Sequence, residues 1–395
     1  MIHWSILYFK FSLFYIGGIR LMGNVTRIMV SPDMNFYDAV THNLVEMISN
    51  PMNQMVFITI YRCNKKSPIV TALTKAAKQI PVFVYVEPKA SGMHDENKSL
   101  AKYLKKEGCH VLCGMKESPN KAMYNLLKIR RVHFKACLCI ADEATEAFYS
   151  TGNFILPQRN HAEDFSVRIS FKDDPAVIRH LSLDFETIFD LKSIYHDIYE
   201  KMLKTIYPAE GQDEKSAYPN LELTPSRVRN YISIVLNSYG YWYLIYDLSK
   251  DSMDQSGKLN IQIKTRNIGG KGFSDFVEQL KIYIQRNYDE DALKNLHISI
   301  IVRDYISDEA KDTLEKYDFI EMYSGAPYTG YSWHGGYVTI NDIVILPSCD
   351  TCEWKNRYEM ALVLPDHVLQ TSVVDNGTNT LQRKFDHEKS LLFRV

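Results

Sequence analysis

From Val132 to Ile140 the chain alternates, with Val132, Phe134, Ala136, Leu138 and Ile140 on one face and His133, Lys135, Cys137 and Cys139 on the other. A period of two predicts a strand with one apolar face. On its second face His133 and Lys135 project side by side, roughly 7 Å apart by strand geometry. A second short run, Phe148–Phe154, ends in Thr151-Gly152-Asn153 and predicts a hairpin with the first. The hairpin brings Asn153 near His133, where its amide can orient the ring. A histidine nucleophile needs such a setting: a cation for phosphoryl oxygens, a polar group fixing the tautomer, and a rigid strand beneath. The same residues also suit an ordinary amphipathic strand with exposed polar side chains, so the rest of the chain has to decide.

The pattern elsewhere alternates strand and helix, as layered α/β proteins do. Before the hairpin it predicts strands at Met55–Arg62, Val82–Val86 and Cys109–Leu112, and helices at Ser67–Lys78, with Pro68 in its first turn, and Asn97–Glu107. After it come a strand at Phe165–Ile169 and one long helix from Pro175 to about Tyr199. Residues 208–226 hold three prolines in a polar run and form the best linker. The order then returns: strands at Leu259–Lys264, Ile298–Arg303 and Phe319–Tyr323, and helices at Phe273–Gln285 and Glu309–Tyr317. A hairpin of Tyr337–Ile340 and Ile343–Leu346 follows, then a final strand, Met360–Leu364.

The halves fall in register. His334 follows His133 by 201 positions, and Ser348-Cys349-Asp350 follows its hairpin as Thr151-Gly152-Asn153 follows the first. Such a duplication predicts two similar domains facing across a pseudo-twofold axis. Each can then lend one histidine to a shared cleft, which suits in-line phosphoryl transfer. The expected boundaries are 22–207 for the first domain, 208–226 for the linker and 227–395 for the second domain.

Composition narrows the picture. With 395 residues, 46% of them apolar, and a formal net charge of -1, the chain is a folded protein rather than a general nucleic-acid binder, and an anion site must be built locally. Seven cysteines form no obvious framework, and Cys349-x-x-Cys352 lacks the partner pair a zinc site would need. Free thiols point to a reducing cytoplasm. Residues 1–21 are apolar and aromatic, interrupted by Lys10. They are short for a membrane anchor and lack a small-residue cleavage site, so they read as a segment outside the fold, with Met22 a more ordinary start. No membrane partner is expected.

A set of short stretches in order adds a resemblance. They are Ile58–Arg62, Val84–Glu87, Asp95–Asn97, Val132–Lys135, Ser150–Phe154, Asp164–Ser166, Ile301–Arg303, His334 and Ser348–Asp350, with Asn356-Arg357 behind. Residues 24–365 thereby resemble the two C-terminal catalytic domains of the long bacterial polyphosphate kinases, relatives of the phospholipase D superfamily. The family's N-terminal and head domains have no counterpart here. Phospholipase D proteins carry an aspartate seven residues after the motif histidine; this chain has Ile140, as the kinases lack that acid too.

The resemblance implies an α/β fold of two phospholipase D-like α-β-α domains with mixed sheets. It implies that His133 becomes phosphorylated, beside Lys135 and Asn153, and that His334 acts as acid or base. It implies that Arg62 contacts phosphate on the metal side of the site, with Mg²⁺ as cofactor and its ligands unspecified, and that Arg303 lines a phosphate channel. The partners so implied are polyphosphate or another phosphate-rich small molecule, and a nucleotide such as ATP; homo-oligomerisation stays open. Three phosphate-facing groups of the family are replaced, by Ser91, Ala162 and Gly336. Three functions therefore compete: a phosphotransferase working through phosphohistidine, a phospholipase D-like phosphodiesterase or nuclease needing no metal, and an inactive phosphate-binding module. Only the second would make nucleic acid a partner. Asp164, Asp350 and Glu359 are candidate carboxylates to orient the histidines.

Overall fold

The computed structural model describes residues 27–30, 36–90, 94–125, 128–142, 144–154, 162–171, 175–206, 232–235, 238–324, 332–333, 336–348, 357–365, 385–386 and 389–394. Residues 1–21, the linker 208–226, Ser91, His334 and Asp350 lie outside them.

The first half supplies β1 (Arg27–Val30), β2 (Met55–Ile60), β3 (Val82–Val86), β4 (His110–Cys113), β5 (Arg131–Val132), β6 (Lys135–Ile140), β7 (Glu146–Ser150), β8 (Ala162–Glu163) and β9 (Phe165–Ser170). Its helices are α1 (Phe36–Ile48), α2 (Pro68–Ala76), α3 (His94–Lys106), α4 (Lys121–Asn125), α5 (Pro175–Phe189), α6 (Leu191–Ile194) and α7 (His196–Ile206). The second half supplies β10 (Ile232–Val235), β11 (Leu259–Ile268), β12 (Leu296–Ile306), β13 (Ile320–Ser324), β14 (Ser332–Trp333), β15 (Tyr337–Ile340), β16 (Ile343–Pro347), β17 (Arg357–Pro365) and β18 (Phe393–Arg394). With them come α8 (Ser238–Ser256), α9 (Lys271–Asn287) and α10 (Asp308–Lys316).

Two mixed sheets result, and they repeat one plan. The first runs β1-β9-β7-β6-β2-β3-β4, and the second runs β10-β17-β16-β15-β11-β12-β13-β18. In each, two parallel pairs (β2–β3–β4, β11–β12–β13) continue into antiparallel strands. The apolar runs of β2 and β3 are buried throughout, as parallel strands covered on both faces must be. One face of the first sheet packs under α1–α3 through Val56, Ile58, Leu73 and Leu104. Its other face, with Phe57, Phe83 and Tyr149, shares a core with α5 and with Tyr337, Val344 and Leu346 of the second sheet. The Tyr149 hydroxyl donates to Leu346 O across this core, 2.9 Å away. The outer face of the second sheet packs under α8 and α9. The α/β class expected from the pattern and the two mixed sheets implied by the resemblance are therefore present.

Three expectations need correction. The strand expected from Val132 to Ile140 is two strands, interrupted at His133 and Phe134. At the break the chain changes partner: β5 lies parallel on β17 of the other half, whereas β6 joins the first sheet between β2 and β7. Nor is its second face a solvent face. Cys137 and Cys139 are buried in the layer beneath α1–α3, where free thiols pack as small apolar groups. The helix expected over Pro175–Tyr199 breaks at Asp190, which adopts a left-handed φ of 51°, and continues as α6 and α7.

Candidate active site

His133 occupies the break between β5 and β6, so one short stretch is tied to both halves. Its backbone N–H donates to Tyr358 O of β17 at 3.0 Å. Directly after it, Thr59 of β2 donates its hydroxyl to Phe134 O at 2.9 Å and accepts from Ala136 N at 3.0 Å. Those side-chain bonds replace ladder bonds where the strand is interrupted, and hold the histidine backbone fixed.

The imidazole is enclosed on three sides. Its Nδ1 lies 2.9 Å from Glu359 Oε2, its Nε2 lies 3.4 Å from Lys135 Nζ, and the Tyr61 ring stands edge-on with centroids 4.5 Å apart. Glu359 is a carboxylate that accepts, so the ring proton sits on Nδ1 and the Nε2 lone pair is left for chemistry. Glu359 is itself fixed: the Ser348 hydroxyl donates to Oε2 at 2.5 Å while accepting from Met360 N, and Arg357 stands 4.0 Å from Oε1. Lys135 is wholly buried, its ammonium 5.2 Å from the Tyr61 ring centre. Burial pushes the imidazole pKa down to about 4, against the pull of Glu359 and with the push of Lys135. Near neutral pH His133 is thus an uncharged, oriented base beside a buried cation. That is what an attacking nitrogen requires.

The sequence-based site residues fare differently. His133 and Lys135 come together. The carboxylate that orients His133 is Glu359, from the opposite half, whereas Asn153 leaves its Oδ1 buried without a hydrogen-bond partner. Arg62 follows Tyr61 at the end of β2, with its Nε buried. Arg303 forks onto Asp304 at 2.6 and 2.7 Å, and Arg266 joins the same carboxylate at 3.0 Å. Asp164 is buried and accepts from Thr151 at 3.0 Å. Sequence reasoning missed Tyr61 and Ser348, whose contact with the ring and the carboxylate depends on pairing between distant strands.

For a metal the described residues offer little. No group of three or more His, Cys, Asp or Glu side chains is poised to hold an ion among them. The one carboxylate at His133 spends an oxygen on the ring and on Ser348. These residues do not fit a protein-built cage; a Mg²⁺ entering on substrate phosphates would need no such cage, since that ion keeps waters and phosphate oxygens as ligands.

Residues 22–188 match the family of polyphosphate kinase C-terminal domain 1. By that match these residues resemble a polyphosphate kinase C-terminal domain. The polyphosphate kinase of Dictyostelium discoideum is 35% identical over 84 residues, which are 21% of this chain and 8% of that protein. That of Helicobacter pylori is 37% identical over 79 residues, 20% of this chain and 12% of the other. Structural likeness reaches further along the chain. The crystal structure of polyphosphate kinase from Porphyromonas gingivalis superposes with a TM-score of 0.58 at 18% identity, covering 88% of this chain and 49% of that one. Phosphatidylserine synthase of Haemophilus influenzae superposes with a TM-score of 0.51 at 12% identity, covering 95% and 88%. The chain thus spans about half of the Porphyromonas kinase. At these identities the likeness concerns the fold. Among the described residues no helix is long and apolar enough to cross a membrane.

Proposed function

We propose that the chain is a phosphotransferase of polyphosphate kinase type that works through a phosphohistidine at His133. The observation that carries this is the Glu359–His133–Lys135 arrangement, with Nε2 unprotonated and a buried ammonium beside it. The Nε2 lone pair attacks a terminal phosphorus of polyphosphate or of a nucleotide such as ATP. A P–N bond forms as the bond from phosphorus to the leaving oxygen breaks. Lys135 turns from Nε2 to a phosphoryl oxygen, and Glu359 stabilises the charge that the ring acquires. Arg62, Arg303 and Asn153 are further proposed substrate contacts, with Mg²⁺ travelling on the substrate phosphates.

The proton for the leaving oxygen we assign to His334. What supports this is a repeated register. Arg131 and Val132 lie parallel on Arg357 and Tyr358, and the next residues are His133 and Glu359. Ser332 and Trp333 lie parallel on Ala162 and Glu163, and the next residues are His334 and Asp164. The free thiols of Cys63, Cys109, Cys113, Cys137 and Cys139 suit a cytoplasmic setting.

The test is to incubate the chain with ATP or polyphosphate, and separately with a phosphodiester, each with and without EDTA. The reading expects alkali-stable, acid-labile label on His133, lost with EDTA and absent in His133→Ala. Diester cleavage indifferent to EDTA would replace the transferase with a phospholipase D-type reaction. Silence in all arms leaves an inactive phosphate-binding module.

A further inference from the structure

Along β3 the side chains alternate between two layers. Val82, Val84 and Val86 pack beneath α1–α3, whereas Phe83 and Tyr85 face the core shared with the second sheet. Phe83 is hydrocarbon throughout and stacks on Phe57, with 4.9 Å between ring centres. Tyr85 is equally buried but carries an oxygen into that core. A buried hydroxyl needs partners, and this one has two. It donates to Glu87 Oε2 at 2.8 Å and accepts from Val132 N at 3.3 Å. The amide can only donate, so a lone pair of the hydroxyl faces it and the phenolic proton is left for Glu87. Burial, and then the charge of Glu87, push the phenol well above its ordinary pKa, so it keeps that proton. Glu87 is fixed in turn. Its Oε1 accepts from Lys89 N at 2.9 Å, and its backbone O accepts from the Asn97 amide of α3 at 2.7 Å.

The bond to Val132 falls where the chain changes sheets. Strand β5 has β17 on one side, and there His133 N donates to Tyr358 O. Successive N–H groups of an extended chain point to opposite edges, so Val132 N turns away from β17. On that side the Tyr85 hydroxyl takes the place of a strand. Val132 is buried, so without the hydroxyl its N–H has no water to bond instead.

We propose that Tyr85, held by Glu87, is a positioning residue for His133, tying β5 to the first sheet at the residue before the nucleophile. The need for it lies in the origin of the ring's neighbours. Lys135 belongs to β6 of the first sheet, and Glu359 to β17 of the second. The ring meets both only while β5, paired with β17, keeps its place against the first sheet. The proposal rests on the reading above for what His133 does, and adds what keeps it in place.

The experiment compares three variants of the full chain. Tyr85→Phe removes one oxygen and keeps the ring. Glu87→Gln keeps its shape, but its amide can accept from Tyr85 or from Lys89 N and not from both. Ser118→Ala removes a buried hydroxyl bonded elsewhere, to Ile188 O. The deciding readout is nitrogen NMR of histidine-labelled protein, the His133 signal being identified by its loss in His133→Ala. The native chain and Ser118→Ala should show His133 protonated on Nδ1 and bare on Nε2 near neutral pH. Tyr85→Phe should show a mixture of tautomers, because the ring no longer keeps its place on Glu359, and Glu87→Gln a smaller change of the same kind. In phosphoryl transfer from ATP or polyphosphate, kcat of Tyr85→Phe should fall about 10- to 100-fold with KM within about twofold, the scale expected when a reacting group is slightly misplaced. A native tautomer in both Tyr85→Phe and Glu87→Gln overturns the proposal, whatever turnover does. An equal change in Ser118→Ala also overturns it, since the effect would then be a general loosening of the fold. A changed tautomer in a chain that never transfers phosphate keeps the proposal and removes the phosphotransferase reading.

Discussion

The two halves share a strand order and differ at the position two residues after the histidine. In the first half that residue is Lys135, buried against the ring it serves. In the second it is Gly336, where a Cβ would fall 2.5 Å from Lys264 O. Strand β11 passes so close that a side chain has no place to start, so the cation is absent for want of room. The acid crosses between them: the first half's histidine takes its carboxylate, Glu359, from the second half. A duplicated scaffold fixes where a site can be built. The approach of one strand decides which half has room for a buried cation two residues after its histidine, and Glu359 of the other half is the acid that meets His133.

The sharpest test of that division is Glu359→Gln. The amide can still accept from Nδ1, so the ring remains roughly placed, but the charge that steadies a developing imidazolium is gone and the tautomer is no longer dictated. Turnover should fall by about 10²–10⁴, the range typical of an oriented base that loses its carboxylate or its acid–base role. Native kcat/KM should also lose its acid limb nearer pH 4 than 6.5, because burial holds His133 neutral through that interval. A native profile that falls at 6.5, or a variant with unchanged turnover, would show that the first half does not depend on the second for its base.

Much of this could be read from residues. Alternation from Val132 to Ile140 and the continuous apolar runs Met55–Ile60 and Val82–Val86 identified the central strands, and the offset between the histidines exposed the repeat. What could not be read was non-local. The strand stops at His133 because β17 captures the chain there, and nothing near position 133 announces a partner at position 358. Glu359 was one of three acids that could have oriented a histidine; only the fold, bringing positions 226 apart into contact, singles it out. Helix α8 escaped notice because aromatic residues at Tyr239, Tyr241, Trp242, Tyr243 and Tyr246 blur its period.

A second prediction concerns what ties the halves together. Beside the site, Tyr358 of β17 donates its hydroxyl to Asp184 of α5 at 2.9 Å. Burial pushes the Asp184 carboxyl up to about 8, and the hydrogen bond from Tyr358 only partly offsets that. Its folded pKa lies above the ordinary 3.8, so between those values the folded chain holds a proton that the unfolded chain has released. Stability should therefore be fullest below pH 3.8 as far as this group is concerned, and be lost as pH rises through 8, by on the order of a few kcal/mol. Asp184→Asn cannot titrate, and its denaturant midpoints at pH 5 and pH 9 should lie closer together than the native ones. Equal pH slopes in the two proteins would mean that the carboxyl is already ionised when folded.

The smallest effect expected bears most directly on the contrast between Lys135 and Gly336. If Gly336 merely lost a cation, Gly336→Ala should be harmless and Gly336→Lys should strengthen phosphate binding. If β11 excludes a side chain, even alanine must push back the Lys264 carbonyl, which belongs to a strand paired on both sides, to β12 and β15. Backbone in the middle of a sheet gives far less readily than a side-chain tip. Gly336→Ala should then cost about 1–3 kcal/mol, the usual penalty for forcing extra volume into a packed interior. Urea denaturation of the native chain and the variant measures this directly. Gly336→Lys should be less stable still and should bind pyrophosphate no better than the native chain. Native-like stability in the alanine variant would mean that the second half has room for a cation at that position, and its lack of one would then need an explanation other than sterics.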